Sequence, residues 1–356
     1  MIYGVIMAGG AGKRLWPASR KENPKQFLAL AGEHSMIRQT ADRIHPLTAD
    51  ERVMVITSES HVNRTLQEIP YAKDHMVIGE PMARNTAPCI ALAAARLHAA
   101  DPDAVMIVLP ADHHIEKREA FLEVLRVAVQ EAQQNHTLVT IGIKPTRAET
   151  GYGYIHAAPG GESHQPEKDT SDPAIPVKNV QRFVEKPNQT KAEEFLQSGD
   201  YLWNSGMFVW RASAILQAME EHMPALFNLT LGVRESSLTR PSLLTFFEGS
   251  PSVSIDVGVM EKAGNVRVVP ADIGWSDVGS WKEVFQLAAK DGQGNSFRGK
   301  EGQKSTFIAA ENNLVMSESG KRVVLIGVDN LCVVETDDAV MVLHQDLSQR
   351  VKEAAE

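Results

Sequence analysis

Gly9-Gly10-Ala11-Gly12-Lys13-Arg14-Leu15-Trp16-Pro17, entered from Val5-Ile6-Met7 and followed by Pro24-Lys25-Gln26-Phe27, is the stretch on which the fold turns. Val5-Ile6-Met7 is an apolar run of the kind that forms a strand buried on both faces. At Gly9, Gly10 and Gly12 no Cβ hinders a sharp turn or a close backbone approach to a ligand. Successive free N–H groups in such a turn form a concave anion site. From Lys13 to Lys25 there are five basic residues (Lys13, Arg14, Arg20, Lys21, Lys25) against one acid, Glu22, in a chain of net charge −9. That local reversal of sign points to a polyphosphate site.

Two familiar phosphate motifs fail here. A P-loop needs glycine where Met7 stands and Ser or Thr where Arg14 follows Lys13. The dinucleotide fingerprint fails because the spacing from Gly10 and Gly12 ends on Leu15 instead of glycine. The competing reading, a plain glycine-rich strand-to-helix turn, leaves the Arg14 and Lys25 charges without a purpose.

Beyond the loop, a chain of 356 residues has room for one large α/β domain with a small appendage, or for two domains. A 43% hydrophobic and 23% charged composition is ordinary for a soluble protein. No apolar run reaches the length of a membrane span, and Met1-Ile2-Tyr3-Gly4 lacks the basic start of a secretory leader. Cys89 and Cys332 make no metal spacing and read as buried thiols of a reducing cytoplasm. The acidic balance argues against a nucleic-acid partner. The expected location is the cytoplasm, with no membrane partner.

Past the loop, helix-like and strand-like segments alternate. Ser35 to Ile44 reads as a helix, Val53 to Ile56 and Met76 to Ile78 as strands. Cys89 to Ala100 reads as an alanine-rich helix with Thr86 as its cap, and Ala104 to Leu109 as a central strand. This spacing predicts an α/β, doubly wound, mostly parallel Rossmann-like sheet. Ligands of such sheets sit beyond the carboxyl ends of the strands, where three polar clusters fall: the glycine loop, Glu80 to Asn85, and Pro110 to His114. One pocket is expected to collect all three. Pro159 to Pro176, rich in Gly, Ser, Pro and charge, reads as a mobile loop. Strand character resumes from Val177 through Pro187 and in Trp203 to Trp210, with Trp203 and Trp210 read as core. Past about Gly292 the texture becomes short β-branched runs broken by Asn312-Asn313, Ser319-Gly320, Asp329-Asn330 and Asp337-Asp338, closed by a helix from Leu347. The expected division is therefore 1–291 and a small β-rich C-terminal domain, 292–356.

The glycine loop with Leu15-Trp16-Pro17 and Pro24-Lys25-Gln26-Phe27 resembles the signature of sugar-1-phosphate nucleotidyltransferases, in particular the mannose-1-phosphate guanylyltransferase branch. The resembling motifs run from Gly9 to Trp281. The resemblance implies attack by the oxygen of mannose 1-phosphate on the α-phosphorus of GTP, with release of pyrophosphate. It also implies that Asp112 and Asp277 share one Mg²⁺, a meeting that spacing alone does not give. Without it, each aspartate reads as a cap or turn residue. His113 and His114, adjacent on an extended chain, point to opposite sides and do not share a metal.

On the triphosphate side the implied residues are Gly9, Gly10, Gly12, Arg14 and Lys25, with Glu80 and Asn85 at the base. On the sugar-phosphate side they are Gly153, Glu185, Lys186 and Asn204. Glu185-Lys186 reads as a hydroxyl acceptor beside a phosphate clamp, and Asn204 offers both donors and an acceptor to vicinal hydroxyls. The attacking phosphate is already anionic, so placement and charge neutralisation suffice. The family often carries a small left-handed β-helix at the C-terminus, although a strict hexapeptide repeat is not evident in this tail. Segment 292–356 is too short for the phosphomannose isomerase domain of longer relatives, so a single activity is expected. A homodimer is the expected assembly. Two other readings stand beside this one: a catalytically silent nucleotide-sugar sensor on the same fold, and an enzyme of the same class using another base or sugar.

Overall fold

The computed structural model describes residues 1–10, 12–159, 162–164, 174–234 and 238–355. The stretch read as a mobile loop, 159–176, lies mostly outside them. Packing divides the chain into two units. The first comprises Met1–Gly9, Thr40–Ala111 and Ile115–Trp275; the second comprises Gly10–Gln39, Asp112–His114 and Ser276–Glu356.

The first unit is built on one sheet. Its strands are β1 (Ile2–Ala8), β2 (Val53–Ser58), β3 (Val77–Glu80), β4 (Val105–Pro110) and β5 (Leu138–Ile143). They are followed by β6 (Tyr154–Ala157), β7 (Glu162–His164), β8 (Ile175–Val184), β9 (Tyr201–Arg211) and β10 (Val266–Ala271). The spatial order is β3-β2-β1-β4-β9-β5-β10-β8-β6, with β6 also pairing β9 and β7 pairing β8. The first four strands are parallel, as their continuous apolar runs predict. Val5, Ile6 and Ile107 are fully buried.

The second half of the sheet is mixed. β9 runs antiparallel to β4, β5 and β6, so a strand late in sequence is inserted into the middle of the order. Between Asn204 and Phe208 its register to β5 shifts, and Gly206 takes φ +69° there. Such an irregularity re-aims side chains, and it falls at a predicted sugar-side residue. The core contains Trp203 and Trp210, as expected.

One boundary differs from the sequence expectation. The alanine-rich helix is Thr86–Ala100, and its cap is Asn85, whose Oδ1 accepts from the Thr86 N–H. Asn85 does this at φ +68°, a region that Asn tolerates better than most side chains. The segment before β10 carries a π-helical turn, Asp256–Met260. Among the described residues no helix is long and apolar enough to cross a membrane.

The second unit joins the segment after the glycine loop to the C-terminal strands. Leu15, Leu28 and Leu30 share one apolar core with Trp281, Leu314, Cys332 and Val334. Strands β11 (Ser296–Arg298), β13 (Leu314–Ser317) and β15 (Leu331–Glu335) pair in parallel, as do β12 (Thr306–Ile308) and β14 (Val324–Ile326). β16 (Val340–His344) closes the larger sheet antiparallel to β15. The chain closes with a 3₁₀ helix, Gln345–Glu353.

Successive turns of this coil repeat at 18 residues, and asparagines mark them. The Asn313 N–H donates to the Asn295 Oδ1 at 3.0 Å, and the Leu331 N–H to the Asn313 Oδ1 at 2.9 Å, each across 18 residues. Gly294, Asn312 and Asn330, one per turn, all have positive φ.

Candidate active site

In the second unit, glycine geometry brings two distant segments together. Gly12, at φ +59°, caps the 3₁₀ turn Lys13–Leu15. A Cβ there would stand 2.7 Å from both the Lys25 Cβ and the Ser19 Oγ. Only glycine therefore lets the loop lie against Lys25. The Lys25 side chain is buried, and its ammonium donates to the Asp112 Oδ2 at 2.8 Å and to the Asp277 backbone carbonyl. One lysine thus ties Asp112 to Asp277, which are 165 positions apart in sequence.

Burial raises the Asp112 carboxyl, but the Lys25 ammonium and His113 outweigh it and hold the group below its ordinary value. The Asp277 carboxylate lies 3.9 Å from the Arg14 guanidinium. All these groups line one concavity of about 300 Å³. Among the described residues no three His, Cys, Asp or Glu side chains form a metal cluster. Two carboxylates lining one concavity suit a cation that completes its shell from water and phosphate.

The turn carrying Asp277 contains two residues that the sequence reading passed over. Val278 is fully buried at φ +47°, where a β-branched residue is strained. At Gly279 a Cβ would stand 2.8 Å from the Asp277 Oδ2 and 3.1 Å from the Arg14 Nη2. The glycine leaves the space that both charged groups occupy. The signal available in sequence was the Trp275-Ser276-Asp277-Val278-Gly279 run itself.

Of the other predicted residues, Gly10 belongs to the second unit and the rest to the first. Glu80 ends β3 with its Oε1 buried and without a partner among the described residues, and burial pushes its carboxyl up to about 7. Asn85 spends its side-chain oxygen on the helix cap.

On the sugar side, Gly153, Glu185 and Asn204 come together. A Cβ at Gly153 would lie 2.7 Å from the Glu185 Oε2 and 3.3 Å from the Asn204 Cβ. The Gly153 carbonyl accepts from the Asn204 N–H at 2.8 Å. Lys186, at φ +45°, pairs with the Glu185 Oε1 at 2.9 Å.

Asn204 has less freedom than its residue type suggests. Its Oδ1 accepts from the Thr140 hydroxyl and the Gly206 N–H, each at 3.2 Å. Its Nδ2 donates to the Asp256 Oδ1 at 2.8 Å. The sequence reading missed Asp256, which the short π-helical turn brings to this cluster. Burial, then the Glu185 charge, raises its carboxyl to about 6.

The Nucleotidyl transferase family model matches residues 3–294, and the MannoseP isomerase/GMP-like beta-helix domain model matches 305–356. The alginate biosynthesis protein AlgA of Pseudomonas syringae pv. tomato is 40% identical, over 98% of this chain and 70% of its own length. A mannose-1-phosphate guanylyltransferase of Escherichia coli is 39% identical over 100% of this chain and 74% of its own. Among solved structures, a mannose-1-phosphate geranyltransferase from Thermus thermophilus superposes with a TM-score of 0.84 at 30% identity, covering 99% of this chain and 98% of that one. The matched span holds the glycine loop, both aspartates and the Gly153–Glu185–Asn204 cluster: the chain belongs to the nucleotidyl transferase family.

Proposed function

We propose that the protein transfers GMP from GTP to mannose 1-phosphate, giving GDP-mannose and pyrophosphate. The observation that carries the reading is the Lys25 ammonium bound to both Asp112 and Asp277 beside Arg14 and the glycine loop. That is a cation-lined seat for phosphates with two carboxylates in reach. The choice of guanine rests on the Escherichia coli relative, and that of mannose on this relative and the Thermus thermophilus structure.

A phosphate oxygen of the sugar phosphate attacks the α-phosphorus and forms the new P–O bond. The bond from that phosphorus to the bridging oxygen breaks, and its electron pair leaves with pyrophosphate. The nucleophile is already anionic, so no proton has to move. The loop N–H groups of Gly9, Gly10 and Gly12 cradle the triphosphate, Arg14 grips it as a bidentate fork, and Lys25 acts as a point charge. Asp112 and Asp277 would hold Mg²⁺, which supplies positive charge to the triphosphate as negative charge shifts to the leaving group.

Glu80 accepts from the adjacent N1–H and N2–H₂ donors of guanine, with Asn85 beside the base. Gly153, Glu185, Lys186 and Asn204 hold the sugar phosphate. The chemistry is assigned to 1–291, the segment 292–356 to support, and the working form to a cytoplasmic homodimer.

Replacing Asp112 or Asp277 by Asn tests the seat. With the fold intact by circular dichroism, kcat should fall about a hundredfold or more. Near-normal turnover in Mg²⁺ for either variant removes that residue from the mechanism.

A further inference from the structure

Resting on the activity just proposed, we infer that Asp256 is a specificity-determining residue of the sugar side: it fixes Asn204 as a hydrogen-bond donor and, with Glu185, accepts from neighbouring sugar hydroxyls.

Asn204 has little left to offer a ligand. An amide offers one oxygen and two N–H donors. The oxygen accepts from the Gly206 N–H and shares the Thr140 hydroxyl proton with the Met207 carbonyl, and one N–H is taken by Asp256. What remains for a ligand is a single N–H. A sugar hydroxyl needs an acceptor for its proton as well as a donor to its lone pairs, and Asn204 cannot be that acceptor. The amide cannot flip, because its NH₂ would then face the Gly206 N–H, and its oxygen would face a carboxylate.

The acceptors beside it are carboxylates. The Glu185 Oε2 stands over Gly153, where the missing Cβ leaves it room. Asp256 presents its Oδ1 to Asn204 and lies near enough to Glu185 for the two charges to oppose each other. Lys186, paired with the Glu185 Oε1, offsets part of this repulsion. Glu261 faces the same segment, its carboxylate accepting from the Glu185 N–H at 3.2 Å. Two carboxylates and one N–H make a reader of adjacent hydroxyls on a hexose 1-phosphate. A sugar lacking one of those hydroxyls leaves a desolvated carboxylate unpaired, a heavy penalty of the kind that gives strong discrimination.

The arrangement also fixes a pH response. Accepting from a hydroxyl and from Asn204 uses the ionised form, which is favoured above about pH 6. The kcat/KM for the sugar phosphate therefore falls as pH drops through that value. The substrate phosphate titrates nearby, so the informative quantity is the difference between parent and variant profiles.

The test is Asp256→Asn in the full-length protein, assayed by pyrophosphate release with GTP and with mannose 1-phosphate or its 2-, 3- and 4-deoxy analogues. Three results are expected. KM for mannose 1-phosphate rises at least tenfold while KM for GTP stays within twofold. For one deoxy analogue the variant and the parent protein have equal kcat/KM. The acid limb that Asp256 adds to the parent profile is missing from the variant. Equal losses on every sugar, or a parallel rise in KM for GTP, would mean a merely structural role and overturn the inference; so would a variant that matches the parent throughout. A parent protein without turnover on any of these substrates overturns the proposed activity, and the sugar-side role with it.

Discussion

Glu80 carries an electrostatic cost that a residue without a task would shed. Its carboxyl is half-buried, one oxygen has no partner among the described residues, and burial raises it to about 7. In the unfolded chain the group ionises near its ordinary 4.5. Between these values the folded state holds the extra proton, so stability falls as pH rises, and the loss is complete above about pH 7. Glu80→Gln should therefore be more stable than the parent protein by about 2–3 kcal/mol at pH 8 and equal to it at pH 4. Urea titrations at the two pH values check this; equal stability at both would mean the carboxyl is not perturbed. The same residue predicts the base preference. Reading guanine needs the ionised form, so the ratio of kcat/KM for GTP to that for ATP should rise with pH through about 7 in the parent. Taking the ratio cancels the titration of the phosphates. In Glu80→Gln the ratio should be flat, and lower by roughly 1–3 kcal/mol in transition-state terms. A ratio that stays high and keeps its slope would mean that guanine is read by another group.

At the scale of elements, the C-terminal coil depends on its buried asparagines. Asn313 is fully buried, donating to the Asn295 Oδ1 and the Val328 carbonyl and accepting from the Leu331 N–H. Asn313→Ala leaves the Leu331 N–H and the Val328 carbonyl, both partly buried, without this partner, at about 1 kcal/mol for each. The neighbouring Asn312 sits at φ +55°, so Asn312→Ala should cost only about 1 kcal/mol and Asn312→Gly close to nothing. Thermal melts of the three variants give the order; an Asn313→Ala protein as stable as Asn312→Gly would contradict the ladder. Sequence showed these asparagines only as breaks between β-branched runs. The repeat stayed hidden because it is carried by φ and by hydrogen bonds between turns, while Ile308, Val324 and Ile326 point outward and blur the apolar period. The first four strands were legible because each is a local apolar run. The antiparallel entry of β9 between β4 and β5 was not, since strand direction is settled by partners far off in sequence. Asp256 escaped notice for a similar reason. Its value lies in Asn204, 52 residues away, and nothing in the Ser254–Lys262 segment announces that contact.

For the molecule as a whole, packing groups the segment 10–39 with 276–356. The segment 10–39 shares its core with the C-terminal strands, and Trp281 donates its indole N–H to the Trp16 carbonyl at 2.9 Å. The glycine loop is thus anchored on residues far down the chain. The glycine and lysine signature was readable in sequence, but what holds it was not. The central claim is that this assembly makes GDP-mannose. Its most direct test is pyrophosphate release by the full-length protein with Mg²⁺, across GTP, ATP, UTP, CTP and dTTP, each with the 1-phosphates of mannose, glucose and galactose. The account predicts pyrophosphate from GTP with mannose 1-phosphate, formed in step with GDP-mannose and at a higher kcat/KM than any other pair. Faster turnover of another pair, or none with any, would contradict it.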